Sequence, residues 1–253
     1  MRFLIDHPLI FALVAFPVLW LCAYAGYRQA RARARVSAEL RADFALVLAA
    51  TLTLLGLLIG FTFSMAASRY DQRKANEAVE ANSIGTEYAR ADFLPEADAA
   101  QVRTLLRDYL TQRIAFYTAR GREREREIDA RTEELRRNLW SSVAHVARSQ
   151  PTALLTLTVA GMNDVLNSQG YSRAAWLNRI PISAWLLTTL VAMLCNVMVG
   201  YTQQSGEARL RFLAILPLVG SIAFFLIADI DSPRGGVVHV TPQNLLLLSA
   251  SLK

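Results

Sequence analysis

The sequence predicts an all-α membrane protein with four transmembrane helices and a long helical insert between the second and the third. Three observations predict it. Apolar residues make up 53% of the chain and charged residues 19%, and the two classes are segregated into alternating blocks rather than mixed. Four of the apolar blocks approach or exceed the roughly 20 residues of helix that cross a hydrocarbon core about 30 Å thick. The long charged stretch between the second and third blocks carries helical periodicity and no strand signature.

In chain order, residues 1–67 hold the first two spans. Leu9–Tyr27 supplies 19 uncharged residues and Phe44–Ala67 supplies 24, joined by the Arg-rich loop Arg28–Asp43. Ala23-Tyr24-Ala25 would also suit signal-peptide cleavage, but Asp6 in the leading segment and the length of the apolar run favour a retained span. Residues 181–230 hold the third and fourth spans, Pro181–Tyr201 and Leu210–Ile230, with Arg211 and Asp229 at the ends of the latter, where charge is cheap. Pro17 and Pro217 interrupt the first and fourth spans, as membrane helices tolerate. Residues 231–253 form a C-terminal tail.

The insert, residues 68–180, is dense in charge yet nearly neutral: Ser68–Arg179 contains 17 basic and 15 acidic residues. After Pro95, Val102, Leu105, Leu106, Tyr109, Leu110, Ile114 and Tyr117 recur with the i, i+3, i+4, i+7 spacing of a helix face. Gly121 permits a break. Ile128, Leu135, Leu139, Val143 and Val146 mark a second helix, and the alternating arginines and glutamates of 122–127 read as its solvated flank. Pro151 suits the first turn of a third helix, with the stripe Leu155, Val159, Met162, Leu166. Trp140, His145 and Asp164 are better read as polar trim on packed helices than as a site.

Function classes fall away by what the chain lacks. Cys22 and Cys195 lie in apolar blocks without a C-x-x-C, and His7, His145 and His239 have no ligand spacing. Neither a metal site nor a cofactor is expected, and nothing pairs a nucleophile with a base, so no catalytic residue is assigned. An intramembrane enzyme would need ionisable residues at mid-depth, and the four blocks hold none. A net charge of +2 over the insert is too dilute for nucleic acid. The lipid bilayer is the first expected partner.

The second span carries the informative residues. Gly56 and Gly60 form a G-x-x-x-G, which lets another helix approach closely, so both are assigned to helix packing. Thr53, Leu57, Phe61, Ser64 and Ser68 follow helical spacing and form one stripe, polar at both ends and apolar in the middle. Such a stripe is either a helix–helix seam, the simpler reading of periodicity alone, or the lining of a narrow pore with an apolar constriction.

The stretch from Gly60 to Tyr70, G-F-x-F-S-x-x-x-S-R-Y, resembles the second membrane helix of bestrophins. More broadly, the chain from about Phe44 to its C-terminus resembles the bacterial bestrophin-like family, through L-L-G-x-x-x-G-F-x-F and S-R-Y-D in the second span. The helix from Glu80-Ala81-Asn82 to Arg90-Ala91-Asp92 and the ending Asp229-x-Asp231-x-Pro233-Arg234-x-Gly236 add to the match. The resemblance implies a homo-oligomeric channel of the inner membrane, multi-pass, conducting anions such as chloride. Bestrophins are pentameric, so a pentamer is the implied assembly. It implies pore-lining roles for Thr53, Leu57 and Phe61, of which Phe61 matches the bestrophin pattern, Leu57 is apolar but not aromatic, and Thr53 departs from the expected aliphatic. The acidic calcium clasp of animal bestrophins has no convincing counterpart here.

Two matters stay open at this level. Basic residues near the span ends number seven on the short-loop side and eight on the insert side, so they do not orient the chain. Their density favours cytoplasmic short loops, whereas the resemblance implies a cytoplasmic insert. The alternative function is a non-conducting membrane scaffold or sensor whose helical insert binds a partner protein, since amphipathic helices with charged faces serve either role.

Overall fold

The computed structural model of the chain describes residues 6–32, 38–202 and 212–252. Among these the fold is all-helical, with no strand. The helices are α1 (Pro8–Ala32), α2 (Ala38–Arg90), a 3-10 turn (Ala91–Phe93), α3 (Glu96–Thr118), α4 (Arg122–Ser149), α5 (Ala153–Leu177), α6 (Ile182–Thr202), α7 (Ile215–Asp231) and α8 (Gln243–Ser251). The chain divides into two compact units, Met1–Tyr70 with Arg179–His239, and Asp71–Asn178 with Val240–Lys253. The C-terminal tail is therefore shared: its first residues belong with the apolar helices and its last form α8 within the charged unit.

Among the described residues three stretches are long and apolar enough to cross a membrane: Pro8–Ala32, Asp43–Phe93 and Ala153–Thr202. The expected fourth span corresponds to α7, whose 17 residues rise about 26 Å at 1.5 Å per residue. Of the rest of that block Phe212, Leu213 and Ala214 precede α7, while Leu210 and Arg211, like the loop from Gln203, lie outside the described residues. The Arg28–Asp43 loop is largely helix. α1 continues through Arg28 and Arg31 to Ala32, and α2 begins at Ala38; residues 33–37 lie outside the described residues. Good helix formers such as Ala and Arg let both helices run past their apolar blocks.

The first unit packs α1 against α6 and α7. Phe11, Ala15 and Leu19 from α1 meet Trp185, Ala192 and Cys195 from α6, and Phe224, Ile227 and Ala228 from α7. The ring of Phe11 stands edge-on to Trp185 at 5.3 Å and stacks on Phe224 at 5.9 Å. At the other end the α1–α6 crossing is set by small residues. A Cβ on Gly26 would collide with the Val197 carbonyl, and one on Gly200 with the Ala23 carbonyl, so the two backbones touch only because both positions lack a side chain. Three buried hydroxyls of the unit, those of Thr62 on α2, Thr188 on α6 and Ser221 on α7, each donate to a carbonyl one turn back at 2.7–2.8 Å. That leaves no unpaired hydroxyl to desolvate at these positions.

In the second unit α3, α4 and α5 form on the stripes the periodicity marked. Val102, Leu106, Tyr109, Leu110 and Tyr117 are buried, as are Ile128, Leu135, Leu139, Val143 and Val146, and Leu155 and Met162. Gly121, at φ 98°, makes the break between α3 and α4. Pro151 does not open α5. Thr152 caps that helix, its Oγ1 accepting from Leu155 N at 3.2 Å, and Pro151 precedes the cap. A hydroxyl at the cap satisfies an amide that a proline in the first turn would only have deleted.

The crossing of α1 and α6 admits a direct check. Gly200→Leu forces backbone apart from backbone and is expected to destabilise the protein by about 3 kcal/mol, the upper end for overpacking. The measurement is thermal unfolding in detergent, and an unchanged melting temperature would contradict the backbone contact.

Candidate pore face and buried carboxylates of α2

α2 is a single helix of 53 residues, about 80 Å long at 1.5 Å per residue. Its apolar part is barely covered by the rest of the chain. Only 6% of its most apolar window is buried, against 28% for α1 and 39% for the Ala153–Thr202 stretch. What is covered forms one stripe: Leu55, Thr62 and Ala66 are buried, and Leu52, Ile59 and Met65 pack alongside them.

The five residues of the candidate pore lining lie on the other side. Thr53, Leu57, Phe61, Ser64 and Ser68 are all exposed, Phe61 at 59% and Leu57 at 52%. At about 100° per residue their stripe is centred roughly opposite Leu52, Leu55, Ile59, Thr62 and Ala66. Thr53 Oγ1 donates to Ala49 O at 2.9 Å, so this hydroxyl is already satisfied by its own helix. Gly56 and Gly60 flank the stripe, also exposed, and a Cβ on either would meet none of the described residues within 4 Å.

Beyond Tyr70 the helix changes character. Arg73, Glu77, Glu80, Ile84, Glu87 and Ala91 are all buried, spaced four, three, four, three and four apart. That is the heptad spacing of a packed seam, but four of the six positions are charged. A search for apolar periodicity passes over them, and the density of charge in the insert reads as solvation. The signal was present as spacing without hydrophobicity.

Each carboxylate on this seam is met differently. Glu77 accepts from Leu245 N at 2.9 Å and Asn244 Nδ2 at 2.6 Å, which docks the start of α8. Glu80 is paired with the buried Arg113 of α3 and accepts from Tyr117 Oη at 3.2 Å and Ser172 Oγ at 3.0 Å. Burial opposes the Arg113 charge, but the Glu80 carboxylate outweighs it and holds the guanidinium above its ordinary pKa. The phenols of Tyr109 and Tyr117 are pushed up, first by burial and then by the Glu80 charge, so both stay protonated. Arg113 also lies 4.3 Å over the Phe116 ring, which packs on Trp176 at 4.9 Å. Among the described residues Glu87 finds no hydrogen-bond partner on either oxygen.

The acidic pair at the end of α7 is structural. Both Asp229 oxygens accept backbone N–H groups, from Val237 at 2.7 Å and Val238 at 2.8 Å. Asp231 accepts from Ile180 N at 3.1 Å and Arg179 Nε at 3.2 Å. Arg179 also reaches Asp6 at 2.9 Å. Among the described residues no three His, Cys, Asp or Glu side chains group as metal ligands. Trp140, His145 and Asp164 are all exposed.

An unbroken helix with an apolar, uncovered first half and a charged, buried second half, among further apolar helices, defines a class of helical membrane protein. The model of the Bestrophin-like domain matches residues 11–245, and the chain belongs to this family. Its fold is similar to that of a bacterial bestrophin homologue from Klebsiella pneumoniae, at 14% identity and a TM-score of 0.65, over 96% of this chain and 98% of that one. A variant of that homologue aligns at 12% identity with a TM-score of 0.64, covering 96% and 97% of the two chains. No curated protein matches the chain in sequence.

The Glu80–Arg113 pair is the sharpest test of the seam. Arg113→Met strands a buried carboxylate and is expected to cost about 3–5 kcal/mol. Combining it with Glu80→Leu should recover much of that loss, because the stranded carboxylate is removed. Thermal unfolding of the single and double variants reads the difference.

Proposed function

We propose that the chain is a subunit of a homo-oligomeric channel that conducts anions such as chloride through a pore lined by α2. The observation that carries this reading is the stripe Thr53, Leu57, Phe61, Ser64, Ser68, uncovered and opposite the face by which α2 packs on its own chain. Set around a common axis, such stripes from several copies enclose a path with serines and a threonine at its ends and Phe61 and Leu57 at its narrowest part. Conduction asks only for a lined path and weak binding, which suits a site without nucleophile, base or metal ligands. Membership in the bestrophin-like family supports the channel reading, and bestrophins as a class support anions and a pentamer.

In this reading α1, the apolar half of α2, α6 and α7 are four spans of the inner membrane, and the insert stands in the cytoplasm. The exposed Gly56 and Gly60 take the neighbouring copy of α2, since none of the described residues occupies the space beside them.

Two measurements test the proposal. Halide flux from liposomes at matched incorporation should rise in Phe61→Ala, and Leu57→Ala should relax selectivity or raise flux. Equal flux in wild type and Phe61→Ala would remove Phe61 from the narrow point. Absence of flux in an intact oligomer, across pH and calcium, would favour the scaffold whose insert binds a partner protein. Separately, Gly60→Leu should shift the purified protein toward smaller species by light scattering while leaving its helical circular dichroism unchanged. An unchanged mass would place the subunit contact elsewhere.

A further inference from the structure

Glu77 and Glu80 of the α2 seam each accept hydrogen bonds, and Glu87 stands apart from them. Its side chain is fully buried, and among the described residues neither oxygen has a hydrogen-bond partner. It lies against Gly161 of α5, where a Cβ would collide with both Glu87 Oε2 and Arg90 Nη1. The Arg90 guanidinium is held by the Leu157 carbonyl at 3.3 Å. The charged groups that act on Glu87 are Arg90 on its own helix and Asp164 on α5, one of opposite and one of like sign. Arg90, Gly161 and Asp164 also border a groove of about 220 Å³ with Asn82, Ser83 and Thr86, room for about seven waters at roughly 30 Å³ each.

An ionised carboxylate with no donor in a dry helix contact is costly, and the group takes up a proton instead. We propose that Glu87 is a proton-binding site that latches α5 onto α2. Protonated, it packs dry against Gly161. On losing its proton to solvent it turns out into the neighbouring groove, where water solvates the carboxylate, and the α5 contact around Gly161 opens. Burial raises the carboxyl from 4.5 to about 8, with Arg90 lowering it and Asp164 raising it. A packed-state value above the solvated one means that the latch is strongest below pH 4.5 and weakens as pH rises to about 8. Above that the packed form is itself ionised, and no further change follows.

The test is amide hydrogen exchange along α5 in the full-length protein in detergent, corrected for the intrinsic pH dependence of exchange. The opening constant around Gly161 should rise about tenfold per pH unit between pH 5 and the plateau, the slope for release of one proton. In Glu87→Gln it should not depend on pH. Zero slope in the wild type, or the same slope in Glu87→Gln, would overturn the latch. Should Glu87→Gln fail to fold, Asp164→Asn at an exposed position gives the second reading. Removing that charge should move the plateau to lower pH, and an unmoved plateau would count against Glu87 as the titrating group.

Discussion

A carboxylate taken out of water must receive a cation, N–H or O–H donors, or a proton, and the second half of α2 places three carboxylates under that demand. Glu77 receives the start of α8 through an amide side chain and a backbone N–H. Glu80 receives Arg113 from α3 and hydroxyls from Tyr117 and Ser172, so one side chain ties α3 and α5 to α2. Glu87 receives no donor. Much of the second unit is arranged by these answers, since a helix that moved would leave a buried charge uncompensated. An apolar seam would hold the same helices with less penalty for a shifted register.

The first half of α2 faces a different constraint. It packs on its chain by one stripe and leaves the rest of an apolar helix uncovered. Within a bilayer part of that surface is satisfied by lipid. The stripe through Thr53, Leu57 and Phe61 differs from a plain lipid face because it ends in Ser64 and Ser68, whose hydroxyls gain nothing from hydrocarbon. The proposed pore gives those hydroxyls water and leaves Phe61 and Leu57 to form the dry narrow point.

The apolar helices were legible because their composition and length are extreme, and the stripes of α3, α4 and α5 because apolar residues mark them directly. The close approach of α1 and α6 was not legible: Gly26 and Gly200 are 174 positions apart by their numbering, and neither belongs to a motif. The buried seam of α2 was hidden for the opposite reason, since its residues are conspicuous but of the wrong kind. Asp229 and Asp231 stood out as a motif, yet only the fold shows their oxygens engaged by Val237, Val238, Ile180 and Arg179. Pro151 looked like a helix start because local signals cannot weigh a proline against the threonine beside it.

Local chemistry determined from the sequence alone that the chain is helical, where its apolar stretches lie, and that the second of them carries a G-F motif of bestrophin type. These follow from periodicity and composition, which act over a few turns. Tertiary structure decided which face of α2 is covered and which is left open, which charged residues of the insert are buried, and which carboxyl lacks a donor. Those outcomes depend on what other helices bring to each side chain from far along the chain, and no short window of sequence contains that information.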